Sequence, residues 1–398
     1  MTVKKRHVFY ISGFDPRGAA FYRRLYQTES VKQSAVGGVN MTVGPRQRSS
    51  GVSSSWQIQS ESGNQQIETE YEFLHWDDIV RDHWTRNEVR VLSNYFRAAW
   101  IYLSTGALSG VLKASWPPFV TSLFPLVILL LVLGFALSAA VGVHQLALLA
   151  NMPRWMGFVA GLAAFGLLIQ CGRLLERRMN SYWLLRIYAF SAQQGLGKLP
   201  DLDVRLGELA SHIVTQASGS DADEILIVGH STGTIMATSV VARVLAMCPG
   251  FLSQGPRISL LTLGQCIPIV SLLPQAQQYR DALSTLARAE QLDWIDFTAP
   301  TDGACFALVD PIAVSGIAQL NPQEPKPKLL SPRFARLFAA ETYAKFRRNW
   351  YRNHFQYIMA SEKAGEYDYF AITAGHLTLA DRHQSQPSVQ HYKRPKVF

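Results

Sequence analysis

Cysteine is scarce in this chain of 398 residues. Its four cysteines are widely spaced and form no C-x-x-C pair, so they predict neither a disulfide framework nor a zinc site. We therefore expect a reducing compartment, with no metal and no other cofactor. The N-terminal apolar run, residues 7–11, is too short for the apolar part of a signal peptide and is interpreted as a strand.

Charged residues are also few, at 17% of the chain, but Lys and Arg exceed Asp and Glu by 38 to 29. Such an excess can indicate nucleic acid or anionic lipid as a partner. The chain has no zinc-ligand spacing, no P-loop and no recognisable nucleic-acid reader motif, so nucleic acid is not expected. Many of the cations flank a long apolar segment, which favours a membrane lipid bilayer as the partner.

Apolar residues, in contrast, are abundant and concentrated in two uncharged runs. Residues 119–143 form a run of about 25 residues which, at about 1.5 Å per residue, exceeds the ~30 Å hydrocarbon core of a bilayer. The second run covers residues 155–171, and only a short connection separates the two. They predict a transmembrane helical hairpin, in which Gly161 and Gly166 allow close helix contact. A buried hairpin of a soluble protein is disfavoured, because its core rarely needs such a long uncharged run.

Flanking cations predict the orientation of this hairpin. Lys113 precedes the first run, and Arg173, Arg177 and Arg178 follow the second, whereas the connection contains only Arg154. The positive-inside rule therefore places both termini and the regions on either side of the hairpin in the cytoplasm.

The hairpin, residues 111–180, divides the chain into an N-terminal part, residues 1–110, and a main part, residues 181–398. Strand and helix patterns alternate outside it, which predicts an α/β fold with a mainly parallel sheet and helices on both faces. Residues 29–65 are interpreted as a hairpin or irregular excursion, and residues 332–349 as one basic helix. Residues 367–373 are predicted to form the last strand.

The strongest chemical motif is the sequence GHSTG at residues 229–233. It directly follows an apolar strand pattern and directly precedes a helix pattern, as a nucleophile elbow does. Gly229 and Gly233 lack the side chains that would clash at a sharp turn, and Ser231 would project from this turn as the nucleophile. His230 is interpreted as a packing or hydrogen-bonding group.

This turn, with its strand and helix, resembles the α/β-hydrolase superfamily and within it the lipase- and esterase-like serine hydrolases. The resemblance covers roughly residues 6–16 and 200–380, and the LTLGQ segment at residues 261–265 resembles the strand after the elbow in lipases. It implies a catalytic triad, in the chain order serine, acid, histidine, and an oxyanion hole.

The resemblance places the acid just past the second strand after the elbow. Asp302 follows the strand pattern at residues 294–298 and is the leading candidate, with Asp296 and Asp310 as alternatives. Two histidines are candidates for the base. Local pattern and spacing favour His354, which begins an H-x-x-Y segment, whereas the predicted strand order favours His376. The choice between them stays open at this point.

An oxyanion hole of this type takes one N–H from the residue after the nucleophile and one from the loop after an early strand. These are Thr232 and, in the loop of residues 12–18, Phe14. Asp15 and Arg17 could pair to fix that loop, or Arg17 could meet an acidic headgroup.

Together these features predict a membrane-anchored serine hydrolase that cleaves carboxylic esters through an acyl-enzyme on Ser231. A nearby bilayer favours a lipid or other apolar acyl substrate. Two alternatives remain: an acyltransferase that uses the same triad, and a catalytically inactive membrane-bound interaction protein on a hydrolase scaffold.

Overall fold

One mixed sheet of eight strands organises the computed structural model, which describes residues 2–62, 65–251, 255–321 and 323–389. Its order is β2-β3-β4-β1-β5-β6-β7-β8. All neighbours from β4 to β8 pair in parallel, whereas β2 with β3 and β3 with β4 pair antiparallel. The strands are β1 Lys5–Ile11, β2 Asn40–Val43, β3 Ser53–Ser62, β4 Gln65–Leu74, β5 Glu224–His230, β6 Arg257–Leu263, β7 Asp293–Phe297 and β8 Lys328–Leu330.

The α/β class and the parallel centre of the sheet agree with the prediction, but its antiparallel edge was not resolved from the sequence. In residues 29–65, the first helix continues to Gly37, and the strands β2 and β3 follow. Along β3, Trp56 and Ile58 are buried, and the glutamines next to them are exposed. This alternation is the expected signal for a strand with one buried face, but the serine-rich composition obscured it.

Helices surround the sheet and form the hairpin. They are α1 Ala19–Gly37, α2 Asp77–His83, α3 Glu88–Ser104, α4 Ala107–Ala114, α5 Trp116–Leu149, α6 Arg154–Met179, α7 Tyr182–Gly195, α8 Pro200–Ser218, α9 Gly233–Met247, α10 Ile267–Ser271, α11 Gln277–Arg288, α12 Pro311–Val314, α13 Phe334–Leu337, α14 Ala340–Phe346, α15 Trp350–Phe355, a 3₁₀ helix Gln356–Ile358, α16 Tyr369–Ala374 and α17 Leu379–Arg382.

Helices cover both faces of the sheet, as predicted. Successive side chains of a strand point to opposite faces. In β1, the ring of Phe9 lies 6.3 Å from that of His212 in α8, whereas the ring of Tyr10 lies 5.3 Å from that of Tyr22 in α1. The helices α8 and α1 therefore pack on opposite faces.

Two predictions near the C-terminus were wrong. Residues 367–373 do not form a strand: they include the helix α16, because the Asp368 side chain accepts hydrogen bonds from the amides of Phe370 and Ala371 and caps the helix. The edge beside β7 is occupied by β8 instead. Residues 332–349 do not form one helix, because extended backbone at Phe338 separates α13 from α14. This break lets Phe338 pack on Phe346, at 4.7 Å between rings.

Two helices are long and apolar enough to cross a membrane, as judged from length and composition. The helix α5 has 34 residues with a mean hydropathy of 2.8 in its candidate span, and α6 has 26 residues with 1.8. Only 6% of each span is buried within the protein. The helices pack closely at Gly161, where a Cβ atom would lie 2.7 Å from the Ala140 carbonyl oxygen. Gly166, in contrast, faces open space.

The first turns of α5 are attached to the rest of the molecule. The hydroxyl groups of Tyr95 and Tyr188 donate hydrogen bonds to the carbonyl oxygens of Ser122 and Pro118, at 2.7 and 2.8 Å. The segments before and after the hairpin share the sheet, since β1–β4 come from residues 1–110 and β5–β8 from residues 181–398. Residues 390–398 of that last segment lie outside the described residues.

Candidate active site

The GHSTG motif forms a sharp turn between β5, which ends at His230, and α9, which begins at Gly233. Ser231 lies at the turn with φ of +60°, in the left-handed region. This conformation costs a residue with a side chain about 1–2 kcal/mol. Its amide donates a hydrogen bond to the Leu263 carbonyl oxygen of β6, at 2.8 Å, which holds the strained residue against the sheet.

Three glycines leave room for this turn. A Cβ atom on Gly229 would lie 2.7 Å from the carbonyl oxygen of Gly233, and one on Gly233 would overlap the backbone at the end of β1. A Cβ atom on Gly13 would lie 2.8 Å from the Cβ of Ser231. Because real Cβ atoms do not approach so closely, larger residues at these positions would displace the serine.

Asp302 and His354 form a buried hydrogen-bonded pair. Oδ2 of Asp302 lies 2.8 Å from Nδ1 of His354, and it also accepts the Tyr357 hydroxyl at 3.1 Å. The Ala304 amide donates to Oδ1 at 3.0 Å. Burial opposes ionisation of Asp302, but the charge and hydrogen bond of His354 outweigh burial, and the pKa of the carboxyl is lowered. An ionised Asp302 holds a proton on Nδ1 of His354 and leaves Nε2 as the nitrogen that can accept a proton.

The tertiary structure pairs Asp302 with His354 and places His376 elsewhere. Ser231 and His354 line the same cavity, together with Gly13, Phe14 and Thr232. The backbone of His376 instead accepts a hydrogen bond from the amide of Val3, and its side chain does not line this cavity.

His230, the motif histidine, supports His354. Its Nε2 lies 2.9 Å from the carbonyl oxygen of His354, so it must donate a proton to that oxygen. Burial, together with repulsion from His354, lowers the pKa of His230 to about 3. It is therefore neutral near pH 7. The predicted hydrogen-bonding role agrees with this geometry.

The loop after β1 contacts the turn directly. The Phe14 amide donates a hydrogen bond to the Thr232 hydroxyl at 2.7 Å, and Trp183 donates to the Phe14 carbonyl oxygen at 2.5 Å. Phe14 thus lies where the sequence predicted, but its N–H is occupied by Thr232. A bond from this amide to an oxyanion requires the Thr232 side chain to turn away.

Asp15 and Arg17 pair within the same loop. The Arg17 guanidinium contacts both carboxylate oxygens of Asp15 through Nε and Nη2, and Tyr22 donates to the same carboxylate at 2.8 Å. The guanidinium also lies 3.9 Å from the centre of the Phe21 ring. Of the two roles considered for Arg17, pairing with Asp15 is therefore present.

The two alternative acids have other roles in the structure. Asp296 is fully buried in β7 and accepts the Thr262 hydroxyl at 2.6 Å. Burial raises the pKa of Asp296 to about 8, so it is mostly protonated at neutral pH. Asp310 caps α12 by accepting the amides of Ile312 and Ala313.

Sequence reasoning missed several residues that shape the site. Gly264 has φ of +57°, and a Cβ atom there would lie 3.4 Å from both Oδ2 of Asp302 and Cε1 of His354. The signal was its place after an apolar strand, but nothing local showed which side chains it faces. Part of the aromatic cavity wall, Trp183 and Tyr188, comes from α7, just after the hairpin.

The membrane-candidate helix α5 reaches the site. Thr121 lines the cavity, and its hydroxyl donates to the carbonyl oxygen of Gly303, next to Asp302, at 2.8 Å. The cavity is narrow: the centre of a water molecule can occupy only about 40 Å³ of it. Its walls are largely apolar.

No family model, curated protein or solved structure matches this chain. Within the described residues, no three His, Cys, Asp or Glu side chains are grouped so that they could hold a metal ion.

Proposed function

We propose that this protein is a serine hydrolase that cleaves carboxylic esters, on a scaffold similar to that of the α/β hydrolases. The observation that supports it most is the shared cavity of Ser231, at a strained strand-to-helix turn, and the Asp302–His354 pair. Non-glycine residues in the left-handed region persist where the surrounding structure enforces them, and they concentrate at functional sites.

In the proposed reaction, Oγ of Ser231 attacks the ester carbonyl carbon while Nε2 of His354 takes the hydroxyl proton. The bond from carbon to the alcohol oxygen then breaks, and the alcohol leaves with that proton. Water attacks the resulting acyl-enzyme, with His354 again as the base. The carboxylic acid is released and Ser231 regains its proton.

Negative charge on the carbonyl oxygen would be stabilised at the start of α9. The Thr232 amide lies at this helix N-terminus, where the helix dipole favours negative charge. The hydrogen-bonded Phe14 amide and Thr232 hydroxyl form a second polar group beside Ser231.

An apolar acyl substrate at a membrane surface fits this site. The hairpin would anchor the protein, and the cations of Lys113, Arg173, Arg177 and Arg178 would keep both termini and the site in the cytoplasm. Thr121 belongs at once to the candidate first span and to the cavity wall. An ester that leaves the bilayer would therefore meet Ser231 within the first turns of α5.

Labelling with a fluorophosphonate tests the proposal, because this probe reacts with an activated serine. The full-length protein in detergent should be labelled in proportion to its amount, and Ser231→Ala should not be labelled. Ester hydrolysis should fall by about 10³-fold or more in that variant.

Ser239→Ala is the matched control. Ser239 lies in α9 with the same 8% exposure as Ser231, but its hydroxyl donates to the carbonyl oxygen of Ile235 in its own helix. It should label and hydrolyse esters like wild type. A wild-type protein that resists the probe would overturn the proposal and favour the inactive interaction protein. Faster ester cleavage with added alcohol, with the acyl group recovered on that alcohol, would identify an acyltransferase instead.

A further inference from the structure

A second opening adjoins the cavity at Ser231 and is chemically different from it. We call it the arginine groove. It offers about 630 Å³ to the centre of a water-sized molecule, compared with about 40 Å³ in the cavity. The residues that line both openings are Asp15, Trp183, Trp350 and Tyr351.

Three arginines line the groove: Arg17, from the loop after β1, Arg178, at the end of α6, and Arg348, before α15. Asp15 is its one carboxylate, and it is paired with Arg17. Arg178 and Arg348 are exposed and form no ion pair within the part of the chain that the structure describes. The groove therefore has an excess of two positive charges and two guanidinium groups ready to bind an anion.

Aromatic side chains connect the groove to Phe14, in the loop after β1. Trp183 packs on Trp84, with ring centres 5.9 Å apart, and Trp84 stacks on Phe14 at 5.8 Å. Trp183 also donates its indole hydrogen bond to Phe14. A molecule in the groove would thus contact the wall that positions the residues around Ser231.

The position of the groove fits an amphiphilic molecule. Arg178 lies in the last turn of α6, beyond the uncharged part of the candidate span, where membrane interfaces lie. Arginine guanidinium groups match phosphate oxygens with paired hydrogen bonds. The apolar walls near Ser231 would bind the acyl end of such a molecule, and the arginines at the open side would bind its anionic end.

We infer that the arginine groove binds the phosphate-bearing head of an anionic acyl ester, such as an anionic glycerophospholipid, whose ester group reaches Ser231. This inference rests on the proposed function, because it names the substrate class of the same site. It adds a headgroup subsite made of Arg178 and Arg348.

Binding is tested first, without turnover. Full-length Ser231→Ala protein in nonionic detergent is titrated with dihexanoyl phosphatidylglycerol or dihexanoyl phosphatidylcholine, and tryptophan fluorescence is recorded, since three tryptophans line the groove. The anionic lipid should bind about tenfold more tightly than the zwitterionic one. Adding Arg178→Gln and Arg348→Gln should reduce this preference to less than about twofold.

Arg177→Gln with Arg347→Gln is the matched control. These arginines are exposed sequence neighbours of the groove arginines, but they do not line the groove. The control should keep the tenfold preference. Equal loss in both double variants would show diffuse surface charge and overturn the subsite. So would wild-type-like lipid preference after removal of the groove arginines.

Turnover by the protein with Ser231 intact separates this inference from the proposed function. If the groove is a substrate subsite, the groove variants should lose kcat/KM about tenfold for the anionic ester and keep it for the zwitterionic ester. Suppose that inorganic phosphate binds the groove but the protein binds the anionic and zwitterionic esters equally well. This result would overturn the substrate assignment. If only the subsite assignment is wrong, fluorophosphonate still labels Ser231. If the proposed function is wrong, the protein is not labelled, even where lipid binds the groove.

Discussion

Asp302 and Glu72 are buried carboxylates that both bind imidazole groups, and their surroundings differ. Asp302 binds His354 at 2.8 Å. Glu72, in β4, lies 3.0 Å from Nε2 of His7 and 2.8 Å from Nε2 of His212. Only the first pair shares a cavity with a strained serine. Among the described residues, the Glu72 cluster lines neither that cavity nor the arginine groove.

The comparison shows that an acid–imidazole hydrogen bond does not by itself make a catalytic site. The Glu72 cluster joins β1, β4 and α8, so it stabilises the packing of a helix on the sheet. The Asp302–His354 pair comes from a loop and a short helix beyond the strand ends, and His354 lines the cavity that contains Ser231. Substitutions should therefore affect catalysis at one cluster and stability at the other.

The largest effect should come from His354, and His376 should have almost none. His354→Ala should lower ester hydrolysis by about 10⁴-fold, because the proton acceptor for Ser231 is lost. His376→Ala should change it by less than about twofold, since His376 lies outside the cavity. Rates with a soluble ester and rates of fluorophosphonate labelling measure both. Normal labelling of His354→Ala would exclude this residue as the base.

Asp302→Asn should lower kcat by about 10³- to 10⁴-fold, because the amide no longer holds the proton on Nδ1 of His354. Asp296→Asn is its control, since Asp296 is equally buried and lies in the preceding strand. It should retain wild-type kcat. A similar loss of activity in both variants would indicate a general packing defect in place of a role in catalysis.

Glu72→Gln should lower stability and leave the kcat of the folded protein unchanged. Burial opposes ionisation of Glu72, but hydrogen bonds from His212 and His7 outweigh it and lower its pKa to about 2. Because the folded pKa is below the ordinary value, this stabilisation is present above about pH 4.5 and is lost as the pH falls towards 2.

At pH 7 the loss should be about 3 kcal/mol, which follows from about 1.4 kcal/mol per pKa unit. Chemical unfolding in detergent measures it. Glu68→Gln, at an exposed position of the same strand, should unfold like wild type. A Glu72→Gln protein of normal stability but low kcat would contradict the structural role of this cluster.

The smallest effect should be a gain of stability in Asp296→Asn. The folded pKa of Asp296, about 8, is above its ordinary value, so the carboxyl lowers stability as the pH rises from about 4 to 8. An amide cannot ionise, and its oxygen can still accept the Thr262 hydroxyl. At about 1.4 kcal/mol per pKa unit, the ionisation penalty at pH 7 is about 4 kcal/mol. The buried amide N–H groups of the asparagine cost about 1–3 kcal/mol, so we expect a net gain of about 1 kcal/mol or more at pH 7. The gain should grow between pH 5 and pH 8, and a constant difference would contradict the ionisation argument.

Much of the site was predictable because its signals are local. The five-residue turn around Ser231, between an apolar strand and a helix, identified the strained position. The resemblance to the α/β hydrolases made Asp302, after β7, the leading acid candidate and Phe14, in the loop after β1, the candidate oxyanion donor. The uncharged runs of α5 and α6 also stand out in the sequence, since span length follows from composition.

Contacts between distant segments were not predictable. Residues 367–373 are a short apolar run, whose periodicity does not distinguish a strand from a helix, and the wrong interpretation favoured His376. The hydrogen bond of Phe14 to Thr232 joins residues 218 positions apart. Gly264 faces Asp302 and His354 because the segments after β6 and β7 converge with α15 there, and no single segment of the sequence shows this.

The sequence by itself determined the strand-to-helix turn at Ser231, the parallel centre of the sheet and the two long apolar helices, because each follows from periodicity, glycine placement or composition within one segment. Only the tertiary structure paired Asp302 with His354, occupied the Phe14 amide with Thr232 and brought Arg178 and Arg348 to one groove. These outcomes depend on how segments distant in the chain pack together. The local sequence does not show which of several similar side chains, such as His354 and His376, makes such a contact.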